Sequence, residues 1–194
     1  MPLKNLTKYD IILASASPRR EQLMKELGLN FRVEVLENVD ESYPEDLNPE
    51  QIPVYLSKVK AKAGEHLVDD STLLITADTI VTHENKVFTK PRDHEDAVLL
   101  LKKLSGQKHT VITGVCIKTQ LREDTFHAIT QVYFDKLEDE EIEYYVDTYE
   151  PFDKAGAYGI QEYIGYIGIK GIEGSFHNVM GLPIQQLYQR LKTF

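Results

Sequence analysis

Ile11-Ile12-Leu13-Ala14-Ser15-Ala16-Ser17-Pro18-Arg19-Arg20 is the stretch from which the fold can be read. The aliphatic run Ile11 to Leu13 reads as a strand covered on both faces. Ser17 suits a helix N-cap and Pro18 the first helical position, where a missing N–H is no loss. The helix that follows carries Leu23, Met24 and Leu27 on one face and stops at Gly28. A helix N-terminus offers free N–H groups and a partial positive charge, both favourable to an anion. The hydroxyls of Ser15 and Ser17 and the guanidinium groups of Arg19 and Arg20 would make a phosphate cradle at that spot. The same residues also suit an ordinary capped βα turn with solvated arginines.

Working outward, residues 1–9 read as a lead-in, and the alternation from Phe31 to Val35 predicts a second strand. Residues 37–46 are acidic and turn-rich, and Glu41 lies among them. Asn48 and Pro49 suit the start of a helix whose spacing places Ile52, Leu56, Val59, Ala63 and Leu67 together. Lys58, Lys60 and Lys62 ride on it, positions that are usually solvated. Leu73 to Val81 is the strongest buried strand. Asp78 inside it is expensive unless it is paired or bound to a metal; otherwise it is a strand-end aspartate capping a turn. A hairpin turn at 84–86 and a basic loop at 89–92, with Lys90, precede a helix capped by Asp93 and ended at Gly106. Residues 110–119 and 127–134 read as long strands joined by a turn at 120–124. An acidic helix over 137–149 turns Ile142, Tyr145, Val146 and Tyr149 inward. The glycines at 165, 168, 171 and 174 read as a kinked strand with turns, and Leu182-Pro183 opens a last helix. Strands and helices alternate early and two adjacent strands follow. The pattern is an α/β fold with a mixed sheet flanked by helices.

The totals restrict the function. The chain has 194 residues and a formal net charge of -9, which argues against a general nucleic-acid binder but not against a local basic pocket. The single cysteine, Cys116, rules out an internal disulfide and fits a reducing compartment. With no apolar leader and no long apolar run, neither secretion nor a membrane partner is expected. There is no P-loop, no HExxH and no zinc-type Cys/His spacing. What remains is a set of loop residues beside strands: Arg19, Arg20, Lys60, Lys90 and Lys154 as cations, Glu41, Asp78 and Asp153 as acids. Cations clustered in an acidic protein fit a polyphosphate. Two carboxylates fit the divalent ion that such a substrate carries. The chemistry expected is metal-assisted attack of water on phosphorus.

Several blocks, taken in order, resemble the Maf family of nucleoside triphosphate pyrophosphatases. They are Leu13 to Arg20, Lys58 to Ala63, Ala77 to Val81, Lys90 to Asp93, Leu104 to Gln107, Asp153 to Gln161, and Gly174-Ser175 through Gly181-Leu182-Pro183. The match spans nearly the whole chain. The resemblance implies a single Maf-like domain over 1–194, of Maf/ITPase-like fold, with an elongated mixed sheet in two lobes around a central cleft. It implies hydrolysis of a nucleoside triphosphate to the monophosphate and pyrophosphate, with Asp78 as the catalytic acid-base residue. It implies Ser15, Arg19, Arg20, Glu41, Lys60 and Lys90 lining the phosphate and metal site, a divalent cation (Mg2+ or Mn2+), a homodimer and a cytoplasmic setting. Arg19, Thr79 and Gln161 match the positions tied to base choice and resemble the branch acting on dTTP and UTP. The other readings of the resemblance are a 7-methyl-GTP pyrophosphatase and a nucleotide-binding regulator of septum formation. Glu162 and Phe176 depart from the family pattern, which often has glycine and tyrosine there.

Overall fold

The computed structural model describes residues 3–194. The first strand, β1 (Asp10–Ala14), is followed by α1 (Pro18–Glu26), β2 (Arg32–Glu34), α2 (Ile52–Ala63) and β3 (Thr72–His83). β1 pairs in parallel with both flanking strands, Ile12 facing Arg32 on one side and Leu74 on the other. Parallel neighbours require crossovers, and α1 and α2 supply them. Pro18 opens α1 and Gly28, at φ +67°, follows its end, both as the sequence predicts.

α2 differs from expectation at both ends. Residues 48–51 form a turn, with the Gln51 N–H donating to Asn48 O at 2.9 Å, and the helix begins at Ile52. Pro53, in the first helical turn, takes the part assigned to Pro49. The buried face is Ile52, Pro53, Leu56, Ser57 and Ala61, while Ala63 is exposed and Leu67 lies beyond the stop at Gly64.

Glu84 and Asn85 both adopt positive φ, as a two-residue hairpin turn demands, and return the chain antiparallel along β3 as β4 (Lys86–Phe88). α3 (His94–Leu104) is capped by Asp93, whose Oδ1 accepts from the Asp96 N–H at 2.8 Å. β5 (Lys108–Lys118) and β6 (Glu123–Phe134) are joined by a tight turn, the Thr119 N–H donating to Arg122 O at 2.8 Å. α4 (Asp139–Tyr149) starts with a capping box between Glu138 and Glu141, and Ile142, Tyr145 and Val146 are buried on it. Tyr149 is partly exposed, stacked on Tyr145 and Tyr163, rather than inward.

The glycine-rich segment is not a kinked strand. It forms α5 (Tyr163–Gly168) and then β7 (Ile169–Glu173), antiparallel to β6. A Cβ on Gly165 would lie 1.9 Å from Ile160 O, so the glycine is there to let two backbones touch. α6 (Phe176–Val179) and α7 (Ile184–Leu191) complete the chain.

The strands form a seven-stranded mixed sheet in the order β2-β1-β3-β5-β6-β7, with β4 also on β3. The chain divides into two compact units, and β3, β5 and β6 each contribute residues to both. The first unit comprises the described residues up to Asp78, Thr113–Ala128 and Gly181–Phe194. Its core includes Ile12, Ala14, Ala61, Leu74 and Cys116, with Leu36, Leu67 and Val68 packed against them. Burial pushes the Cys116 thiol up to about 12, so it is a small core hydrophobe and not a nucleophile. At Gly114 of β5 an added Cβ would lie 2.3 Å from the Pro53 backbone, so α2 rests directly on the strand. The second unit comprises Thr79–Ile112 and Ile129–Met180. There His109, Phe134 and Tyr158 meet edge to face, with centroids 5.0 to 5.4 Å apart.

Candidate active site

Asp78 ends the first stretch of the first unit, lies on β3 and is only 8% exposed. Its position follows from strand geometry. Thr76 and Asp78 share one face of β3, because side chains alternate. The buried Thr76 hydroxyl donates to Ser57 O of α2 at 2.7 Å. Three residues beyond Ser57, nearly one turn, stands Lys60. The Thr76–Ser57 bond therefore sets strand against helix so that Lys60 meets Asp78, with Nζ 2.5 Å from Oδ1. The same ammonium lies 3.0 Å from Glu41 Oε1. Both Lys60 and Asp78 are largely withdrawn from water, at 15% and 11% side-chain exposure, while Glu41 is 48% exposed at the rim. A buried carboxylate is tolerated when paired in this way.

Arg20, the third residue of α1, belongs to the same unit. Its Nε donates to Gly181 O at 2.7 Å and its Nη1 to Ala77 O at 2.9 Å, with Ser15 Oγ at 3.4 Å. Burial lowers its pKa, Asp78 opposes that shift, neighbouring Arg19 adds to it and Glu41 works against it. Arg20 thus ties α1, the Ser15 turn and Gly181 to β3 beside Asp78. Ser17 occupies the N-cap position but makes no capping bond with its side chain. Ser15 closes the turn instead, its Oγ accepting from the Ser17 N–H at 3.2 Å. Five of the residues singled out from sequence, namely Ser15, Arg20, Glu41, Lys60 and Asp78, are linked by these contacts within one unit.

Thr79, Lys90 and Gln161 belong to the second unit. Thr79 follows Asp78 on β3 and is half-buried, and Lys90 is exposed in the loop after β4. Gln161 is half-buried, and its Oε1 is enclosed with no hydrogen-bond partner among the described residues. Lys154 and Asp153, the additional candidates, pair with each other at 2.7 Å, and Lys154 also lies 3.3 Å from Glu162. The Thr76–Ser57 bond, on which the meeting of Lys60 and Asp78 depends, leaves no signal in the sequence. Tyr145 is core, as its spacing predicts, and its buried hydroxyl also accepts from the Gly159 N–H at 3.0 Å, a partner that a buried tyrosine calls for.

Chemically, the first unit presents a carboxylate beside an ammonium, a second acid at the rim and a guanidinium beside the same stretch of β3. Such a group can accept a proton from water while the cations attract phosphate oxygens. Among the described residues no group of three or more His, Cys, Asp or Glu side chains is placed to hold a metal by itself. No helix among them is long and apolar enough to cross a membrane.

The fold and the site are those of a mixed-sheet α/β protein with paired acids and cations gathered on one unit, and comparison with known sequences makes the class specific. The model of the family described as Maf-like protein matches residues 10–194, and the chain belongs to that family. It is 56% identical over 190 residues to the dTTP/UTP pyrophosphatase of Bacteroides thetaiotaomicron, covering 98% of each chain. It is 53% identical over 192 residues to the dTTP/UTP pyrophosphatase of Parabacteroides distasonis, covering 99% of this chain and 100% of that one. The fold is similar to that of the Staphylococcus aureus Ham1 protein, with a TM-score of 0.50 at 14% identity, covering 93% of this chain and 98% of that one.

Proposed function

We propose that the protein hydrolyses dTTP and UTP to the nucleoside monophosphate and pyrophosphate. The observation that carries the reading is the contact of Asp78 with Lys60 and of Lys60 with Glu41, at 2.5 and 3.0 Å. It gains support from relatives of that activity at 56% and 53% identity over nearly the whole chain. Asp78 accepts a proton from the water whose oxygen bonds to the α-phosphorus. The bond from that phosphorus to the bridging oxygen breaks, and pyrophosphate leaves with the electron pair. Lys60 holds the Asp78 carboxylate in place for this role. Ser15, Ser17, Arg19, Arg20 and Lys90 supply donors and positive charge for the triphosphate, and charge placed where it develops on the leaving group is the largest source of acceleration in such reactions.

The donor set fits a divalent cation. Glu41 and Asp78 converge on one positive charge, the Lys60 ammonium, and magnesium is usually held by one or two carboxylates with phosphate oxygens and waters completing its shell. Bound there with the nucleotide, Mg2+ or Mn2+ would draw charge from the phosphate oxygens. Base choice falls to Arg19, Thr79 and Gln161. A glutamine amide can accept from the N–H that uracil and thymine carry between two carbonyls and can donate to one of those carbonyls. Thymine adds only a methyl group, which a pocket distinguishes weakly.

The test is pyrophosphate release from dTTP, UTP, CTP, GTP and 7-methyl-GTP, with magnesium and with excess chelator. The expected result is the highest kcat/KM for dTTP and UTP and no activity with chelator. Release of single phosphate, or preference for a purine, overturns the reading.

A further inference from the structure

The loop that carries Gln161 is held by Glu162, a residue whose type the family resemblance did not anticipate. The Glu162 carboxylate turns back over its own loop. One oxygen accepts from the Tyr145 hydroxyl, and the other lies 3.3 Å from Lys154 Nζ. The Tyr145 oxygen in turn accepts from the Gly159 N–H at 3.0 Å. The Glu162 N–H donates to Gly159 O at 3.0 Å, closing the turn Gly159-Ile160-Gln161-Glu162. Space is equally constrained, for a Cβ on Gly159 would lie 2.6 Å from the Glu162 carboxyl carbon. Tyr145 is fully buried and Lys154 only 8% exposed, so the anchor points are fixed by the core.

We propose that Glu162 is a positioning residue for base recognition: by bridging Tyr145 and Lys154 it fixes the turn that aims the Gln161 amide. The inference rests on the reading of Gln161 given above. A polar group that reads a base discriminates only while it is held in place, because the wrong base must be made to leave it unpaired. Gln161 has no partner of its own on Oε1, so its aim depends on the backbone beneath it. Glu162 and Tyr145 hold that backbone from one side, and Lys154 completes the charge balance.

The experiment compares the wild-type enzyme with Glu162→Ala, Glu162→Gln, Gly159→Ala and Tyr145→Phe, measuring KM, kcat and the ratio of kcat/KM for UTP over CTP. Glu162→Ala is expected to raise KM for UTP about 10–100-fold, the scale of a small misplacement, with kcat little changed and the UTP/CTP ratio reduced. Glu162→Gln still accepts from Tyr145 and should keep most of the discrimination. Gly159→Ala pushes the carboxylate aside without removing it and should reproduce Glu162→Ala, as should Tyr145→Phe. Gly159→Ala and Tyr145→Phe carry the test if Glu162→Ala fails to fold. Variants that are merely less heat-stable, with wild-type KM and wild-type UTP/CTP ratio, overturn the role of Glu162. A wild-type enzyme that releases no pyrophosphate from UTP or dTTP overturns the functional reading itself, a different and separately visible result.

Discussion

Asp78 Oδ1 and Lys60 Nζ lie 2.5 Å apart, a strand carboxylate and a helix ammonium brought together in a largely dry environment. Asp78→Asn keeps the shape and removes the proton acceptor. Turnover should fall about 10²–10⁴-fold, the range for a positioned acid-base group, while the variant still unfolds cooperatively, at a lower midpoint because Lys60 loses its closest counter-charge. Steady-state pyrophosphate release together with a circular-dichroism melt decides it; wild-type turnover in a folded variant rejects the assignment.

Arg20 makes a stability prediction as well as a catalytic one. Its side chain donates to the carbonyls of Gly181 and Ala77. Arg20→Ala leaves those acceptors without the donor and should cost about 1–3 kcal/mol in the absence of any nucleotide. Arg20→Lys should recover little, since an ammonium cannot reproduce the planar fork. Urea midpoints of the nucleotide-free proteins measure this. An unchanged midpoint would assign Arg20 to the phosphates alone.

His109 predicts acid sensitivity. It is 1% exposed, its Nε2 is 2.7 Å from the Tyr158 hydroxyl, and burial holds its pKa down to about 3. In the unfolded chain the imidazole titrates near 6.5. Above that pH both states are neutral and stability is intact. As pH falls from 6.5 toward 3 the unfolded state binds a proton that the folded state refuses, so stability drops by up to about 1.4 kcal/mol per unit. His109→Gln keeps a polar partner for Tyr158 and cannot titrate. Its urea midpoint should vary less than that of the wild type between pH 7 and pH 4.5, and parallel curves would exclude His109 as the cause.

Gly114→Ala should destabilise by about 1–3 kcal/mol, as overpacking does, because the new methyl meets Pro53 backbone and not a yielding side chain. Chemical denaturation reads the loss. A neutral effect would mean that α2 can lift from β5.

The sequence exposes those parts of the site that lie within short segments. The Ser15 to Arg20 turn announces itself by strand, hydroxyl, proline and arginine in succession, and Asp78 by its expense inside an apolar strand. Glu41 was visible only as one acid in a polar loop, since what selects it is the distant Lys60. The start of α2 was misplaced because Asn48-Pro49 and Gln51 to Pro53 offer competing signals, and packing against β5 chose the second. The helix at 163–168 is not legible in the sequence because glycines break strands and helices alike, and only the close pass of Ile160 explains Gly165. The link of Glu162 to Tyr145 spans seventeen positions and depends on how α4 is seated, which periodicity does not report.

The bare backbone contact at Gly114 has a consequence for reading mutational surveys. Pro53 stands on β5 there, and Lys60 follows seven residues later, about 10 Å along the same rigid helix. A missing methyl group is therefore the datum from which the lever arm of the lysine is measured. A screen that scores only turnover would rank Gly114 among the chemical residues. Its side chain is a hydrogen atom that touches no nucleotide, and what it contributes is length.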